Sequence, residues 1–578
     1  MLSSLWRAES RGTWRTRLPT NRAIELHETV HPARWCITFA DLKHFRSEVH
    51  RVLQEGKTFE ENFEASYGPS IYAVNEHYIK PVTAAAGKMS WALMMNPEGL
   101  DCDLFITHAW QEDVFEFTEK VLASWPWRAR HAWCCMLANP QNLDIAALLQ
   151  SPSSSPFALA LQSSKYMLVV PNRHKSVYTR LWCGYEAYLA FQSNKIIRTA
   201  APPIWRRVCF SWLRMLPALL IGGIIGLFAK MDHFQSALQL ILLMKMLALL
   251  ASLVSQNCGQ IRLCLIANHL GLASAIATVA ITGFFGSTVA IEASHQKKIF
   301  VFESFMTSLM VLYFLLAEVD RVNWQIAKEE ADQLQNQYQG SICQASCSEI
   351  QDEVNIRNEI GDQVEEVDKV VQVLLKAGMT SDALRHAYLQ GIDLKHAGEV
   401  QLAIPVLVLG PLLLIACLHV GRYIFLRSEE LVDADQQVPH MLWWICSLQG
   451  VSIFARLSFV TLFFRRYIDE RCFMLNVMAK TVAPSFFCFV ELGFLRDYTV
   501  FCLLHSLYHC TFLVVWLFAA LGIRGTLKLP CGKLLANLFL RRVLGCSVCL
   551  ASRGTTRHSW CEEEELEEDD SETMSESS

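Results

Sequence analysis

The chain has 578 residues, of which 52% are apolar and only 19% charged, with a net charge of −5 and a mean hydropathy of +0.23. The apolar excess lies after residue 205, the pattern of membrane spans and not of an evenly rich core. Much of the negative charge sits in residues 561–578, and no long basic block or aromatic–basic stripe is present, so composition excludes a nucleic-acid partner as the organising feature.

The first twenty residues, MLSSLWRAESRGTWRTRLPT, are basic but carry no apolar core. That argues against a secretory signal and leaves the first span as the insertion signal. Glu9 argues against a transit peptide. Twenty cysteines form no regular disulfide framework, and many lie in apolar segments, where Cys acts as a small hydrophobe. Within residues 1–100, Thr58–Tyr72 and Asn75–Ser90 read as globular without a usable motif.

Residues 101–200 alternate apolar runs with helical stretches. Strands are expected at Leu104–Thr107, Ala132–Leu137, Tyr166–Val170 and Lys195–Thr199, and helices at Glu112–Ser124, Pro156–Ser164 and Tyr178–Phe191. Such alternation implies parallel crossover units and a three-layer α/β domain. Ligands of such sheets sit beyond the carboxyl ends of the strands. That places His108 to Glu112, Ala138 to Asn142 and Pro171 to Arg173 at the candidate edge. No G-x-G-x-x-G loop is present for Rossmann-type dinucleotide binding. Cys134 and Cys135 read as buried strand thiols.

The stretch LFITHAW, preceded by Asp101 and Asp103, resembles the opening strand of Toll/interleukin-1 receptor (TIR) domains. YMLVVPNRHKSVYTRLWCGYEAYLA resembles that family's third strand, loop and following helix, with the signature W-C-x-x-E at Trp182-Cys183-Gly184-Tyr185-Glu186. The resemblance implies a TIR-like, flavodoxin-like fold and, for members that cleave NAD, a catalytic role for Glu186. It makes NAD the candidate substrate, with no resident cofactor. Trp110, His108, Trp182 and Asn172 become candidate substrate-binding residues, with Trp110 as a stacking face. Two stretches, NPQNLDI and RLWCGYEAY, also resemble predicted membrane proteins of dinoflagellate algae. The loop LANPQNLDIAALLQSPSSSP departs from the usual TIR pattern, and the second half of the fold is curtailed by the first span.

A span needs about 20 apolar residues to cross roughly 30 Å of hydrocarbon. An all-α polytopic bundle follows, with about eight spans at 208–229, 234–254, 263–286, 299–317, 402–420, 441–464, 472–494 and 498–522. The seventh carries Lys480 and Glu491 and leaves a seven-span count open. Arg206 and Arg207, then Arg465, Arg466 and Arg471, then Arg524, Lys528 and Lys533 flank spans on one side, which should be cytosolic together with both termini. Lys297 and Lys298 run against that scheme. Lys245, Arg456 and Glu491 are the candidate intramembrane polar residues for a transport path.

The polar segment 318–401 reads as cytosolic and helical. Its Ile360, Val364, Val367, Val371 and Leu374 have the spacing of a coiled-coil seam, suited to a homo-oligomer through 350–375 or to packing on the preceding domain. After the last span come a basic juxtamembrane segment with Cys546 and Cys549, open to palmitoylation or weak metal chemistry, and an acidic disordered tail within 523–578. No metal site is expected. Two functional classes stay open: membrane signalling through a TIR-like domain, which hydrolyses NAD when clustered or only self-associates, and a transporter or channel with a regulatory domain.

Overall fold

The computed structural model describes residues 22–394 and 498–540 apart from short breaks, with Ala403, Phe473, 476–478 and Thr481 between them. Six strands form one mixed sheet: β1 (Ile37–Thr38), β2 (Leu104–Thr107), β3 (His131–Cys134), β4 (Tyr166–Val169), β5 (Ile196–Thr199) and β6 (Met379–Thr380), in the order β1-β3-β2-β4-β5-β6. The central four run parallel, with Leu104 opposite both Ala132 and Tyr166, and Tyr166 opposite Ile196. β1 and β6 are antiparallel edges. The sequences LFIT and YMLV are buried along their whole length, as strands covered on both faces must be. Reading the central strands in chain order gives the doubly wound arrangement 2-1-3-4, whose switch point lies beside β2.

The second strand is shorter than the apolar run Ala132–Leu137. Its ladder with β2 ends at Cys134, opposite Ile106, and the unpaired chain coils into the turn Cys135–Ala138. The third crossover helix starts late, at Leu181, because Ser176 caps a short 3₁₀ turn at Val177–Thr179.

The expected boundary at residue 100 and the reading of 318–401 as a separate loop are corrected by the packing. One core runs from Trp35 through Leu104 and Tyr185 to Leu375. The four parallel strands by themselves leave two open edges, and the flanking segments close them with β1 and β6. In the N-terminal segment, Thr38 and Asp41 form a capping box that starts the Phe39–Gln54 helix, whose Phe45 and Val49 enter the core. In the later segment, Gly361 (φ +51°) breaks the expected seam into helices Ile350–Ile360 and Val364–Ala377. Val367, Val371 and Leu374 are buried in the core shared with the Leu181–Gln192 helix. The seam is therefore occupied within the chain, as in the second of the two open readings, packing on the preceding domain.

Among the described residues, three helices are long and apolar enough to cross a membrane: Trp205–Phe228, Gln239–Gln256 and Ile261–Phe284. They keep large apolar side chains on the outside, among them Phe210, Leu220, Phe228, Leu250 and Leu270. So wide an exposed apolar band suits a lipid surround. Small residues set their approach, as the Gly-Gly and Gly271–Thr278 patterns suggest: a Cβ on Gly222 would strike the Ala273 carbonyl, and one on Gly271 the Phe314 ring. Gly223 meets nothing within 4 Å. The expected fourth span, 299–317, lies inside a 42-residue helix, Ser294–Gln335, that runs on without Gly or Pro. The expected eighth is part of Tyr498–Leu527, which kinks at Gly522; Leu513–Leu527 and Gly532–Leu540 form a bent pair at 117°. Spans five to seven, with Arg456 and Glu491, and the tail from 541 lie outside the described residues.

Candidate functional site at the carboxyl edge of the sheet

The residues after β2 make a tight turn whose geometry follows from Glu112. Its Oε1 accepts from the Ala109 amide at 2.6 Å, and its carbonyl accepts from the Ile71 amide at 2.9 Å. The Trp110 carbonyl accepts from the Tyr72 amide at 3.3 Å, and the Tyr72 and Trp110 rings lie 5.5 Å apart. The segment 69–72, featureless in sequence, thus roofs the carboxyl end of β2.

Beneath this roof His108 points at the end of β3. Its Nε2 lies 3.1 Å from Cys135 Sγ and 3.5 Å from Cys134 Sγ, and its Nδ1 lies 3.6 Å from Glu112 Oε1. Trp110 Nε1 donates to Cys135 Sγ at 3.3 Å. From the Leu181–Gln192 helix, Cys183 packs under the His108 carbonyl, and Glu186 is 5% exposed. Burial pushes Glu186 up to about 8, with the neighbouring Thr107 hydroxyl and the Arg180 guanidinium pulling the other way. Burial also lowers His108 to about 3 and raises Cys135 to about 12, so imidazole and thiol are both neutral near pH 7. Glu112 is likewise driven well above the carboxylate range by burial.

Four buried polar atoms here have no hydrogen-bond partner: Thr107 Oγ1, His108 Nδ1, Glu112 Oε2 and Glu186 Oε2. Buried polar groups are nearly always paired, and each orphan costs on the order of 1–3 kcal/mol. Four such atoms lie around the carboxyl end of β2, at the switch point of the sheet, with the Thr107 hydroxyl next to the Glu186 carboxyl.

Of the residues singled out by sequence, the fold gathers Glu186, His108 and Trp110. It does not bring in Trp182, whose ring stacks on Phe157 at 5.0 Å and whose Nε1 donates to Asp352 at 3.0 Å. Trp182 fixes its helix against the later segment. Asn172 serves its own loop, with Oδ1 accepting from the His174 and Lys175 amides at 3.0 Å each. Trp182 and Asn172 Oδ1 are thus engaged by partners within the chain, while Asn172 Nδ2 is buried without one. Glu112 was expected at this edge but without a role, and Thr107 and Cys135 were not singled out as members. The four-residue spacing of His108 and Glu112 and the Cys pair ending a strand were the available signals. Among the described residues, no three His, Cys, Asp or Glu side chains are arranged to hold a metal ion.

In the membrane half, Lys245 is fully buried within the bundle. A second polar centre was hidden from the sequence by ending span four at residue 317. Glu318, fully buried, accepts from Arg321 at 2.7–3.0 Å, from Asn268 Nδ2 at 3.0 Å and from Ser211. Ser255 donates to Asn268 Oδ1 at 2.6 Å, so four helices meet there.

No protein-family profile matches the chain, and neither a curated protein nor a solved structure matches it.

Proposed function

We propose that this is a multi-pass membrane signalling protein whose TIR-like α/β domain cleaves NAD at the Glu186 site when clustered. The observation that carries the reading is the buried Glu186 carboxyl, with an unpaired Oε2 among three further orphaned polar atoms at the carboxyl edge. The doubly wound strand order and the W-C-x-x-E helix that bears Glu186 support it. In this reading Trp110 supplies an aromatic face, and the positive charge of the nicotinamide ring favours the ionised Glu186, whose proton passes to solvent. The resulting carboxylate stabilises the positive charge that grows on the ribose as the nicotinamide–ribose bond breaks. Water then adds to the ribose carbon and gives up a proton, yielding ADP-ribose and nicotinamide. About eight spans, with both termini cytosolic as the Lys/Arg clusters direct, complete the proposed topology.

The test is NAD consumption by the full chain in nanodiscs. Glu186→Gln should reduce it at least a hundredfold, and the rate of the wild-type protein should rise with pH as the carboxyl ionises. A wild-type protein that leaves NAD intact at high surface density removes the enzyme reading and leaves the scaffold one.

The buried Glu318–Arg321 centre and Lys245 favour a second reading, transport through the bundle, because intramembrane charges often mark a permeation path. Ion flux into liposomes that is lost on Lys245→Leu would support it.

A further inference from the structure

We propose that the Ser294–Gln335 helix is a lever that carries a rearrangement of the membrane helices to the 171–176 loop and thereby controls access to the Glu186 site. The proposal rests on the reading of that site as functional and names its regulation.

The lever is anchored by charge at both ends. At the bundle end, Glu318 and Arg321 tie it to Ser211 of the Trp205–Phe228 helix, and Glu318 also holds Asn268 of the Ile261–Val289 helix. Three turns or so further on, about 18 Å along an unbroken helix at 1.5 Å per residue, it reaches the α/β domain. Glu329 there pairs with Arg207. Glu330 Oε2 lies 2.7 Å from Lys120 Nζ, and Gln333 Oε1 accepts from the same ammonium at 2.7 Å.

Lys120 passes the connection on. It is 2% exposed, sits 3.0 Å from Glu116, and donates to the Pro171 carbonyl at 2.8 Å, where the chain leaves β4. Just past the helix end, Asn336 Nδ2 donates to the His174 carbonyl and its own carbonyl accepts from the Ser176 amide, both at 3.0 Å. The loop so held clamps the site in turn: Arg173 lies 2.8 Å and His174 3.2 Å from Asp113 Oδ2, next to Glu112. From Glu318 to Glu112 the connection runs through continuous helix, hydrogen bonds, ion pairs and the short loop chain that joins them.

The Lys120 junction is the buried part of the connection, with the Lys120 and Glu330 side chains 3% and 5% exposed. Sliding the helix against Lys120 would strand an ammonium and a carboxylate away from water, so those contacts shift together or break together. A rearrangement there is the kind of discrete step through which distant sites couple.

The experiment uses the full chain in nanodiscs and reads the labelling of Cys135 by N-ethylmaleimide, resolved by peptide mass spectrometry. Cys102, buried at the amino end of β2, reports global unfolding. Lys120→Met at the domain end and Glu318→Gln at the bundle end should each raise the Cys135 labelling rate at least tenfold, with Cys102 unchanged. The double variant should exceed neither single variant by more than about twofold, since both cut one line. Amide exchange of residues 171–176 should rise in Glu318→Gln as well. If a variant also exposes Cys102, Glu330→Gln and Arg321→Lys take its place with the same expectations. The lever fails if a folded bundle-end variant leaves Cys135 labelling and 171–176 exchange at wild-type levels. Because neither readout uses NAD, an inactive protein with coupled labelling would sink the enzyme reading alone, and an active one without coupling would sink only the lever.

Discussion

Glu186 is the residue on which most depends, and its burial makes a prediction independent of catalysis. Its carboxyl is raised in the fold, to about 8 against an ordinary 4.5. A group shifted upward contributes stability that is fully present below the unfolded value and lost as pH rises through the folded one. The wild-type protein should thus lose several kcal/mol between about pH 4.5 and 8 through this group alone. Glu186→Gln keeps the shape and removes the ionisation, so its thermal midpoint should exceed that of the wild type by several degrees at pH 8. The difference should close toward pH 4.5, a trend that scanning fluorimetry across pH would check.

At this scale the sequence was partly legible. Glu186, His108 and Trp110 could be placed because two follow the end of an apolar strand and one lies in a motif. Glu112 could be placed at the edge but not given a role, and Thr107 and Cys135 could not be placed, since their convergence depends on segment 69–72 folding over the edge of β2. The contacts of Trp182 with Asp352 and of Asn172 Oδ1 with its own loop were not legible either, because tertiary packing sets them.

At the scale of elements, the four central strands and their crossover helices were readable to within a few residues. Strands buried on both faces give continuous apolar runs, and turns punctuate them. β1 and β6 were not, because each has two residues and exists only through its pairing. The Ser294–Gln335 helix was cut short because hydropathy falls after residue 317 while the backbone hydrogen bonding continues. The small-residue contacts of the membrane helices give a paired prediction. Gly222→Ala, which drives a methyl into the Ala273 carbonyl, should destabilise the bundle by about 1–3 kcal/mol. Gly223→Ala, one residue away in open space, should be neutral. Thermal unfolding of the two variants in detergent would separate them, and equal effects would contradict the helix approach described here.

At the scale of the whole molecule, the chain interleaves its parts. The α/β domain draws strands and core residues from before residue 100 and from beyond residue 335, on the far side in sequence of the long apolar helices. A 90–200 segment would lose β1, β6, Phe45, Val371 and Leu374, and should not fold. Its far-UV circular dichroism and protease resistance should be those of an unfolded chain; a cooperative melt would contradict the shared core. This interleaving was the least legible feature, because nothing in local pattern says that a segment entering after a membrane helix returns to complete an earlier sheet.

The most direct measurement is NAD turnover by the full chain reconstituted at high density in nanodiscs, wild type beside Glu186→Gln. The wild type should release nicotinamide and ADP-ribose, and a folded Glu186→Gln protein at least a hundredfold less. Undiminished turnover in that variant, or none in the wild type, would contradict catalysis at Glu186.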